Sequence, residues 1–234
     1  MVSIITIDGP SGAGKSTVSL GLANRLGYTY VDSGALYRIV ALEAWQKKIA
    51  EENEEALVDI CKNLEVTFRT TNGKITILNH GRDVSEPIRS PEVSMLASRI
   101  SAKKAVRDQI TALQRKIGEK VNLVLEGRDA GTVVFPDAQV KFFLDATPEE
   151  RGKRRFKELT LKGLSISLER VTQDIITRDH NDSTRSHAPL KPAPDAVIIN
   201  SSAMTVEEVI ARMMDVIQAK KKLGGKSEWI KLKQ

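Results

Sequence analysis

The stretch GPSGAGKST at residues 9–17 decides the fold, because it combines a phosphate-binding pattern with the elements that this pattern needs on either side. The residues that satisfy G-x-x-x-x-G-K-[ST] are Gly9, Gly14, Lys15 and Ser16. Before the loop, the apolar run SIITID at residues 3–8 predicts a strand. After it, KSTVSLGLANRLG predicts a helix that ends at Gly27. A glycine loop in this context turns backbone N–H groups inward, so we expect it to surround phosphate oxygens.

Two side chains of this loop have specific predicted partners. Lys15 can bridge the β- and γ-phosphates of a nucleotide, and the Ser16 hydroxyl can bind Mg²⁺. We expect ATP to contact the whole loop, which consists of Gly9, Pro10, Ser11, Gly12, Ala13, Gly14, Lys15, Ser16 and Thr17. Thr17 fits an ordinary helix position equally well. The chain has no Asn-Lys-x-Asp guanine-binding motif, which argues against a GTPase switch.

Four further apolar runs extend the strand–helix alternation that the loop begins. They are YTYVD at 28–32, NLVLEG at 122–127, VKFFLDA at 140–146 and AVIIN at 196–200. Runs that are apolar on both faces suit central strands of a parallel sheet covered by helices. Two later helices carry start signals, with Thr147 and Thr205 as caps. We therefore predict an α/β fold in which a five-stranded parallel sheet is flanked by helices, in one domain over residues 1–234.

Residues 64–84, LEVTFRTTNGKITILNHGRDV, break this alternation. Their β-branched runs lie around Asn72-Gly73, which is a strong signal for a two-residue hairpin turn. We predict a small antiparallel meander here, inserted into the parallel core. The end of the chain, from residue 219, is basic and contains two glycines, so we expect a loosely held tail whose Trp229 and Ile230 could dock on the core.

The composition narrows the functional class. The 234 residues carry a net charge of +6, and 41% hydrophobic with 28% charged residues is typical of a globular domain. The single cysteine, Cys61, cannot form an internal disulfide, and no run approaches the ~20 apolar residues of a membrane span. The start MVSIITIDGP has no basic leader, so we expect no signal peptide and a cytoplasmic protein. The positive charge suits anionic partners, whereas an aromatic content of 4% disfavours a stacking surface for single-stranded nucleic acid.

Arg38 is a cation in an otherwise apolar run. It lies in DSGALYR at residues 32–38, after the second predicted strand, and the helix that follows has Glu43 as its other charged residue. A charge that faces a core is costly without a partner. A salt bridge, or a side chain that extends to solvent, explains Arg38 as well as a bidentate contact to a ligand phosphate does, so both interpretations stay open.

The segment EGRDAGT at residues 126–132 follows the third apolar run, at the edge where open parallel sheets bind their ligands. Glu126 ends that strand, in a position to hold Mg²⁺ through water. Arg128 and Asp129 then project into the crevice, with glycines on both sides that allow close approach. A purely structural Arg–Asp pair is the alternative explanation.

A helical stripe turns from apolar to charged between residues 164 and 185. Its apolar members recur at spacings of four, three and four, and are Leu164, Leu168, Val171 and Ile175. The same spacing continues through Arg178, Asp182 and Arg185. A solvated helix end explains these charges cheaply. Because charges on a core-facing line need partners, we favour a ligand pocket.

The basic run ERGKRRFK at residues 150–157 lies on the helix after the fourth strand. Such a run usually forms a solvated face, and it could instead form a lid that closes over phosphates and excludes water. With this run, the loop and the separated arginines supply more positive groups than a simple ATPase needs, which favours a phosphoryl transferase.

These stretches together resemble the bacterial-type cytidylate kinases, a family of nucleoside monophosphate kinases. The matching segments are TIDGPSGAGKST, DSGALYR, EGRDAGTVVFPDA, KFFLDAT.EER..RR and RD..DSTR...PL, from residue 5 to about 190. The pairing of DSGALYR with GRDAGTVVFPDA is specific, whereas the loop occurs in many NTPases. The resemblance implies the P-loop kinase fold, with a monophosphate-binding lobe inserted at about 35–100 and a short lid at about 151–167.

The resemblance also implies transfer of the ATP γ-phosphoryl group to CMP or dCMP with Mg²⁺. By this resemblance the acceptor phosphate is held by Arg38 and Arg128 beside Ser33 and Tyr37, the cytosine edge by Ser98, Arg107 and Arg185, the ribose by Arg178 and Asp182, and the site is completed by Asp129. The implied catalytic residues are Lys15, Arg128, Asp129 and, along ATP in the lid, Arg154. Glu126 stands where many members have Asp, and the carboxylate is kept.

The expected partners are thus ATP and CMP or dCMP, with no membrane, no nucleic acid and a monomeric state. A nucleotide-dependent regulatory protein, whose basic surface holds nucleic acid or another partner, is the alternative from a different class. UMP or a small metabolite is the alternative acceptor. Acceptor-dependent release of ADP separates these hypotheses.

Overall fold

The computed structural model describes residues 2–71, 74–161 and 163–223. Its strands are β1 (Ile4–Asp8), β2 (Thr29–Asp32), β3 (Val66–Thr71), β4 (Lys74–Asn79), β5 (Arg82–Asp83), β6 (Leu123–Gly127), β7 (Val140–Asp145) and β8 (Val197–Asn200). Its helices are α1 (Lys15–Leu26), α2 (Ser33–Gln46), α3 (Glu54–Lys62), α4 (Pro91–Ile100), α5 (Lys104–Gly118), α6 (Pro148–Leu161), α7 (Leu168–Thr184) and α8 (Val206–Leu223). A 3-10 turn at Pro87–Arg89 and a π-helical turn at Ala130–Val134 complete the elements.

The five predicted apolar runs form one parallel sheet in the order β2-β6-β1-β7-β8, so the predicted fold class is confirmed. Asp8 at the end of β1 lies opposite Gly127 of β6, and Asp32 of β2 lies opposite Glu126. Because the strands are parallel, their carboxyl ends meet at one edge. The phosphate-binding loop and the segment after β6 therefore leave the sheet side by side.

Alternate residues of the central strands pack on opposite faces of this sheet. In β6, Leu123 and Leu125 join the core beneath α2 and α5, whereas Val124 joins the core beneath α1 and α8. All three side chains are fully buried. The continuous apolar runs thus arise because helices cover both faces of the sheet.

Residues 64–84 contain a second sheet, which is antiparallel and consists of β3, β4 and β5, as predicted. The predicted turn at Asn72-Gly73 lies outside the described residues. The buried Asn79 amide donates a hydrogen bond to Glu43 Oε1 of α2 at 3.1 Å. This contact joins the small sheet to the helix that carries Arg38.

The start of α7 differs from the prediction. The Ser167 side chain accepts a hydrogen bond from the Arg170 backbone N–H at 3.2 Å, and the helix therefore begins at Leu168. Leu164 precedes the helix and is 51% exposed, so its assignment to the apolar stripe is wrong. The stripe is confirmed at Val171 and Ile175, which are buried, whereas Arg178 is exposed and the helix ends at Thr184, one residue before Arg185.

The end of the described chain also differs from the prediction. Because α8 continues to Leu223, residues 219–223 belong to a helix rather than to a loosely held tail. Trp229 and Ile230 lie outside the described residues. Within the part of the chain that the structure describes, no helix combines the length and the apolar character needed to cross a bilayer.

Candidate active site

Glycines shape the loop between β1 and α1. Gly9, Gly12 and Gly14 have φ angles of +150°, +76° and +87°, which residues with a Cβ atom rarely adopt. A Cβ atom on Gly9 would also collide with the carbonyl oxygen of Leu144 in β7. α1 begins directly after Gly14, so the positive end of its dipole lies at the loop. The structure thus has the backbone geometry that the predicted ATP-binding loop requires.

Lys15 is folded into the loop. Its side chain is buried, and Nζ donates a hydrogen bond to the carbonyl oxygen of Pro10 at 2.6 Å. Burial, reinforced by the positive charge of Arg128, lowers the pKa of Lys15 to about 7. A polyphosphate beside Nζ would favour the charged form of Lys15, so nucleotide binding would raise the pKa of this amine.

The carboxylate of Glu126 lies beside the first turn of α1. Its Oε1 accepts hydrogen bonds from Ser16 Oγ at 2.7 Å and from the Tyr30 hydroxyl at 2.5 Å. Its Oε2 is buried and has no hydrogen-bond partner among the described residues. Burial, together with the negative charge of Asp32, raises the pKa of Glu126. A serine hydroxyl and a carboxylate with one unused oxygen suit Mg²⁺, so the residues present fit the predicted ion.

Side chains from α5, from the segment after β6 and from the end of α7 form one connected group, which we call the arginine–aspartate cluster. Its members are Arg107, Arg128, Asp129, Asp182 and Arg185. Arg128 Nε donates to Asp182 at 2.9 Å, and Arg107 donates to Asp129. The NH2 group of Arg185 lies 3.7 Å from Asp129 Oδ1, and its NH1 group lies 3.8 Å from Asp182 Oδ1. Arg185 therefore connects the two pairs. The charged part of the stripe therefore faces the segment after β6, as the pocket interpretation requires.

The cluster holds its charges with little solvent. Burial acts to raise the pKa of Asp182, but Arg128, Arg178 and Arg185 outweigh it and hold the pKa below its usual range. One terminal nitrogen of Arg185 is buried without a hydrogen-bond partner in the described parts of the chain. Arg178, one turn earlier on α7, is exposed; the protein around its guanidinium and the charge of Arg128 lower its pKa to about 10, so it stays charged at neutral pH. The unpartnered nitrogen of Arg185 and the exposed side chain of Arg178 are suited to receive an anion.

Two predicted residues at the start of α2 border the cluster. The Tyr37 ring centroid lies 5.4 Å from the guanidinium carbon of Arg107, within cation–π range. Burial raises the pKa of Tyr37, and its hydroxyl stays protonated. Ser33 is buried, and its hydroxyl accepts a hydrogen bond from the Gln114 side chain at 2.6 Å. Both side chains therefore have protein partners in the ligand-free protein.

Arg38 has both a structural partner and an exposed surface. Its NH1 group pairs with Asp32 Oδ2 at 3.3 Å, and 23% of its side chain is exposed. Asp32 also caps α2, because its Oδ1 accepts from the Ala35 backbone N–H at 3.0 Å. The salt-bridge interpretation is confirmed, and a phosphate contact by the exposed part of the guanidinium stays a prediction.

Two other predicted site residues are exposed on the surface of the protein. Ser98 is exposed on α4, one turn before Ser101, whose carbonyl oxygen accepts from Arg107 at 2.9 Å. This places Ser98 close to the cluster in the chain without a side-chain hydrogen bond to it among the described residues. Thr17 is exposed on the first turn of α1. The ligand contacts of both stay predictions.

The basic run at 150–157 is divided between buried and exposed side chains. Arg151 is 4% exposed and donates to the Ser11 carbonyl oxygen of the loop at 2.8 Å. Arg154 donates to the carbonyl oxygen of Ser201 at 2.6 Å and to its hydroxyl at 3.1 Å. Two exposed members, Lys153 and Arg155, pair with glutamates of the same helix. The run is therefore not a uniformly solvated face, because two of its arginines contact the core.

Sequence reasoning missed several residues that hold the site together. They are Asp8, Tyr30, Gln114, Arg151 and Asp179. Asp179 accepts from the Ser11 backbone N–H at 3.0 Å and from Arg151, and so ties α6 and α7 to the loop. The first of these contacts spans 168 residues of sequence, and no local pattern marks it. Asp8 did carry a signal, because it is a carboxylate at the last position of a buried strand.

Comparison with known proteins agrees with the geometry. The family profile for cytidylate kinase matches residues 5–219. The cytidylate kinase of Geobacter sulfurreducens is 48% identical over 219 residues, which cover 94% of this chain and 94% of that protein. The cytidylate kinase of Syntrophotalea carbinolica is 50% identical over 214 residues, which cover 92% of this chain and 91% of that protein.

Solved structures add a likeness of fold. An uncharacterized protein from Eubacterium ventriosum ATCC 27560 has a TM-score of 0.54 and 13% identity, over 94% of this chain and 99% of that chain. At this identity the likeness concerns the fold alone. Because the family profile and relatives near half identity both cover most of the sequence, the chain belongs to the cytidylate kinase family.

Proposed function

We propose that the protein transfers the γ-phosphoryl group of ATP to CMP or dCMP, which gives ADP and CDP or dCDP. The observation that carries the proposal is the arginine–aspartate cluster at the same sheet edge as the phosphate-binding loop. An enzyme that only hydrolysed ATP would need no second anion site there. Family membership and the names of the relatives support a cytidine nucleotide as the acceptor.

On the donor side, the triphosphate would follow the loop from Gly9 to Thr17, with Lys15 between its β- and γ-phosphates. Ser16 and Glu126 would hold Mg²⁺, which when bound neutralises charge on the phosphate oxygens. Phosphoryl transfer needs little covalent help from a protein, so positioning and charge neutralisation supply most of the rate. This explains why no general base is required among these side chains.

On the acceptor side, Arg128 and Arg38 would hold the phosphate of the monophosphate. Asp129 lies between Arg107 and Arg185, so one carboxylate and two guanidinium groups would face the base together. Cytosine presents an amino donor beside ring acceptors, which matches this set. Uracil has a carbonyl oxygen in place of the amino group, and a carboxylate would repel it.

The remaining assignments concern the ribose and the moving parts. Asp182 and Arg178 would contact the ribose hydroxyls, with Ser98 near the base. The lobe that receives the monophosphate would span about 35–100 and the lid about 151–167. Arg154 would then contact ATP from the lid. A monomeric state and a cytoplasmic location are predictions of the sequence.

The decisive experiment measures ADP formation from ATP and Mg²⁺ with CMP, dCMP, UMP, AMP and GMP as separate acceptors. We expect CMP and dCMP to raise the rate of ADP formation far above that without acceptor. No stimulation by any acceptor would contradict the kinase proposal and favour a nucleotide-dependent regulatory protein. A preference for UMP would contradict only the assignment of Asp129, Arg107 and Arg185 to cytosine.

A further inference from the structure

Asp8 connects the donor and acceptor parts of the site through a single carboxylate. It is the last residue of β1, directly before Gly9, and is 3% exposed. Its Oδ1 accepts from the Ala130 backbone N–H at 2.8 Å, and its Oδ2 accepts from the Gly131 N–H at 2.7 Å. These two residues directly follow Arg128 and Asp129. The side chain therefore fixes the acceptor segment against the strand that carries the phosphate-binding loop.

The Asp8 side chain holds the chain beyond the last backbone pair of β1 and β6. The ladder between β1 and β6 ends with Asp8 opposite Gly127, so the chain beyond Gly127 has no strand partner on β1. The segment then turns sharply into the π-helical turn at Ala130–Val134, and the Asp8 carboxylate receives the N–H groups at its beginning. Contact here is close, because a Cβ atom on Gly131 would lie 2.7 Å from Thr6 Oγ1 and 3.3 Å from Asp8 Oδ2.

A buried carboxylate is a costly way to fill this space. Burial raises the pKa of Asp8 to about 6, although the two backbone hydrogen bonds oppose the rise. The group is ionised at neutral pH, which leaves both oxygens as acceptors. An apolar side chain would avoid the cost of burying charge but would leave two buried N–H groups without partners. What the carboxylate provides is a fixed distance between two backbone segments.

We propose that Asp8 is a positioning residue, which sets the distance between the phosphate-binding loop and the Arg128–Asp129 segment and so aligns the acceptor with the γ-phosphoryl group. The inference rests on the phosphoryl transfer proposed above. Asp8 itself touches neither substrate in this scheme. Its effect is on alignment, and misplacement of reacting groups by about 1 Å can cost about 100-fold in rate.

The test compares Asp8→Asn with the wild-type protein in steady-state kinetics, at a temperature where both are folded. Asparagine keeps the shape but has one acceptor oxygen, so the Ala130 or the Gly131 N–H must face an amide NH₂ group. We expect kcat with CMP to fall by about 100-fold, while KM for ATP changes less than threefold. A merely structural role would lower the melting temperature and leave kcat of the folded protein unchanged, and that result would overturn the proposal.

Matched variants keep the test decisive. Asp195→Asn breaks another carboxylate contact of the same sheet, with Lys141 Nζ at 2.8 Å, and should leave kcat unchanged. Asp8→Glu keeps the charge and both acceptors but moves them by one methylene group, so we expect the same fall in kcat with an unchanged KM for ATP. If neither Asp8 variant folds, hydrogen exchange of the wild-type Ala130 and Gly131 amides decides, because exchange as fast as in an exposed loop would overturn the proposal.

The two proposals fail in different ways. If the wild-type protein shows no acceptor-dependent ADP formation, the proposed function is wrong. If the wild-type protein is active and Asp8→Asn retains its kcat, the function stands and the positioning role is wrong.

Discussion

The phosphate-binding loop and the arginine–aspartate cluster differ in how the chain builds them. The loop is one continuous segment, in which glycines set the backbone and the buried side chain of Lys15 donates a hydrogen bond to the carbonyl oxygen of Pro10. The cluster takes side chains from α5, from the segment after β6 and from α7, and each of its arginines lies against a carboxylate. The loop depends on backbone conformation, and the cluster depends on side chains that tertiary packing brings together.

This difference predicts how each region responds to substitution. Lys15 is the single side-chain cation of the donor loop, so its loss has no substitute within the loop. In the cluster, several arginines would share the acceptor anion, so the loss of one would leave others in place. We therefore expect donor substitutions to lower the rate of phosphoryl transfer more than acceptor substitutions do.

Lys15→Ala should have the largest effect. In the proposed site Lys15 would lie between the β- and γ-phosphates, so its removal would take away charge stabilisation in the transition state, and we expect kcat to fall by at least about 1,000-fold. The measurement is CMP-dependent ADP formation. Activity within tenfold of wild type would show that the donor loop has a second cation, and the contrast between the two regions would be lost.

Arg128→Ala should have the second-largest effect on activity, and this effect should concern the acceptor alone. It removes an arginine that would hold the acceptor phosphate and leaves the half-buried Asp182 without its closest partner. We expect kcat/KM for CMP to fall by about 100-fold to 1,000-fold, with the Kd for ADP within threefold of wild type. The matched control is Arg170→Ala, which breaks an exposed pair with Asp174 on the same helix as Asp182 and should change kcat/KM less than twofold.

An equal loss of ADP affinity in Arg128→Ala would contradict this assignment. It would mean that the segment after β6 supports the donor loop as much as the acceptor. In that case the two regions would be one functional unit, joined through Asp8.

Arg38→Ala should have the smallest kinetic effect of the three. Its guanidinium is partly exposed and already pairs with Asp32 at 3.3 Å, so it contributes less than a buried arginine. We expect kcat/KM for CMP to fall by about 10-fold to 100-fold, measured beside the melting temperature. If kcat/KM is unchanged and only stability falls, Arg38 is a structural salt bridge and its acceptor role is wrong.

The same contrast explains how much the sequence could predict. The loop and the five central strands are local features, since a continuous motif and continuous apolar runs define them, and the structure confirms both. Asp182 and Arg185 could be suspected because a helical period carried charge onto an inward line, and Arg128 because it follows a strand at the edge where parallel sheets bind ligands. The predicted start of α7 was wrong because Leu164 fits the helical period by chance. The Ser167 cap was the better local signal for the start of the helix.

Contacts between distant segments could not be predicted in this way. Asp8 meets Ala130 across 122 residues, and Gln114 meets Ser33 across 81 residues. Neither contact has a periodicity or a spacing that a single sequence reveals, because packing of the whole sheet creates it. The sequence could therefore indicate which side chains are candidates for ligand contact, but not which side chains hold those candidates in place.

Proton uptake on ligand binding should distinguish the donor loop from the arginine–aspartate cluster. The pKa of Lys15 is lowered from its ordinary value of 10.5 to about 7, so in the nucleotide-free protein at pH 8 this amine is mostly neutral. A bound polyphosphate favours the ammonium form, and ATP binding at pH 8 should therefore take up about one proton. The arginines of the cluster are charged at this pH, so CMP binding should take up none.

Calorimetry in buffers of different ionisation enthalpy measures this uptake, with EDTA present so that no metal ion contributes. Uptake with ATP should decrease from pH 8 to pH 6, because Lys15 is already protonated below its lowered pKa. Lys15→Arg is the matched control, since a guanidinium is charged with or without nucleotide and should show no uptake at pH 8. If wild type and Lys15→Arg behave alike, Lys15 is charged before ATP binds, and the donor loop holds a permanent cation just as the cluster does.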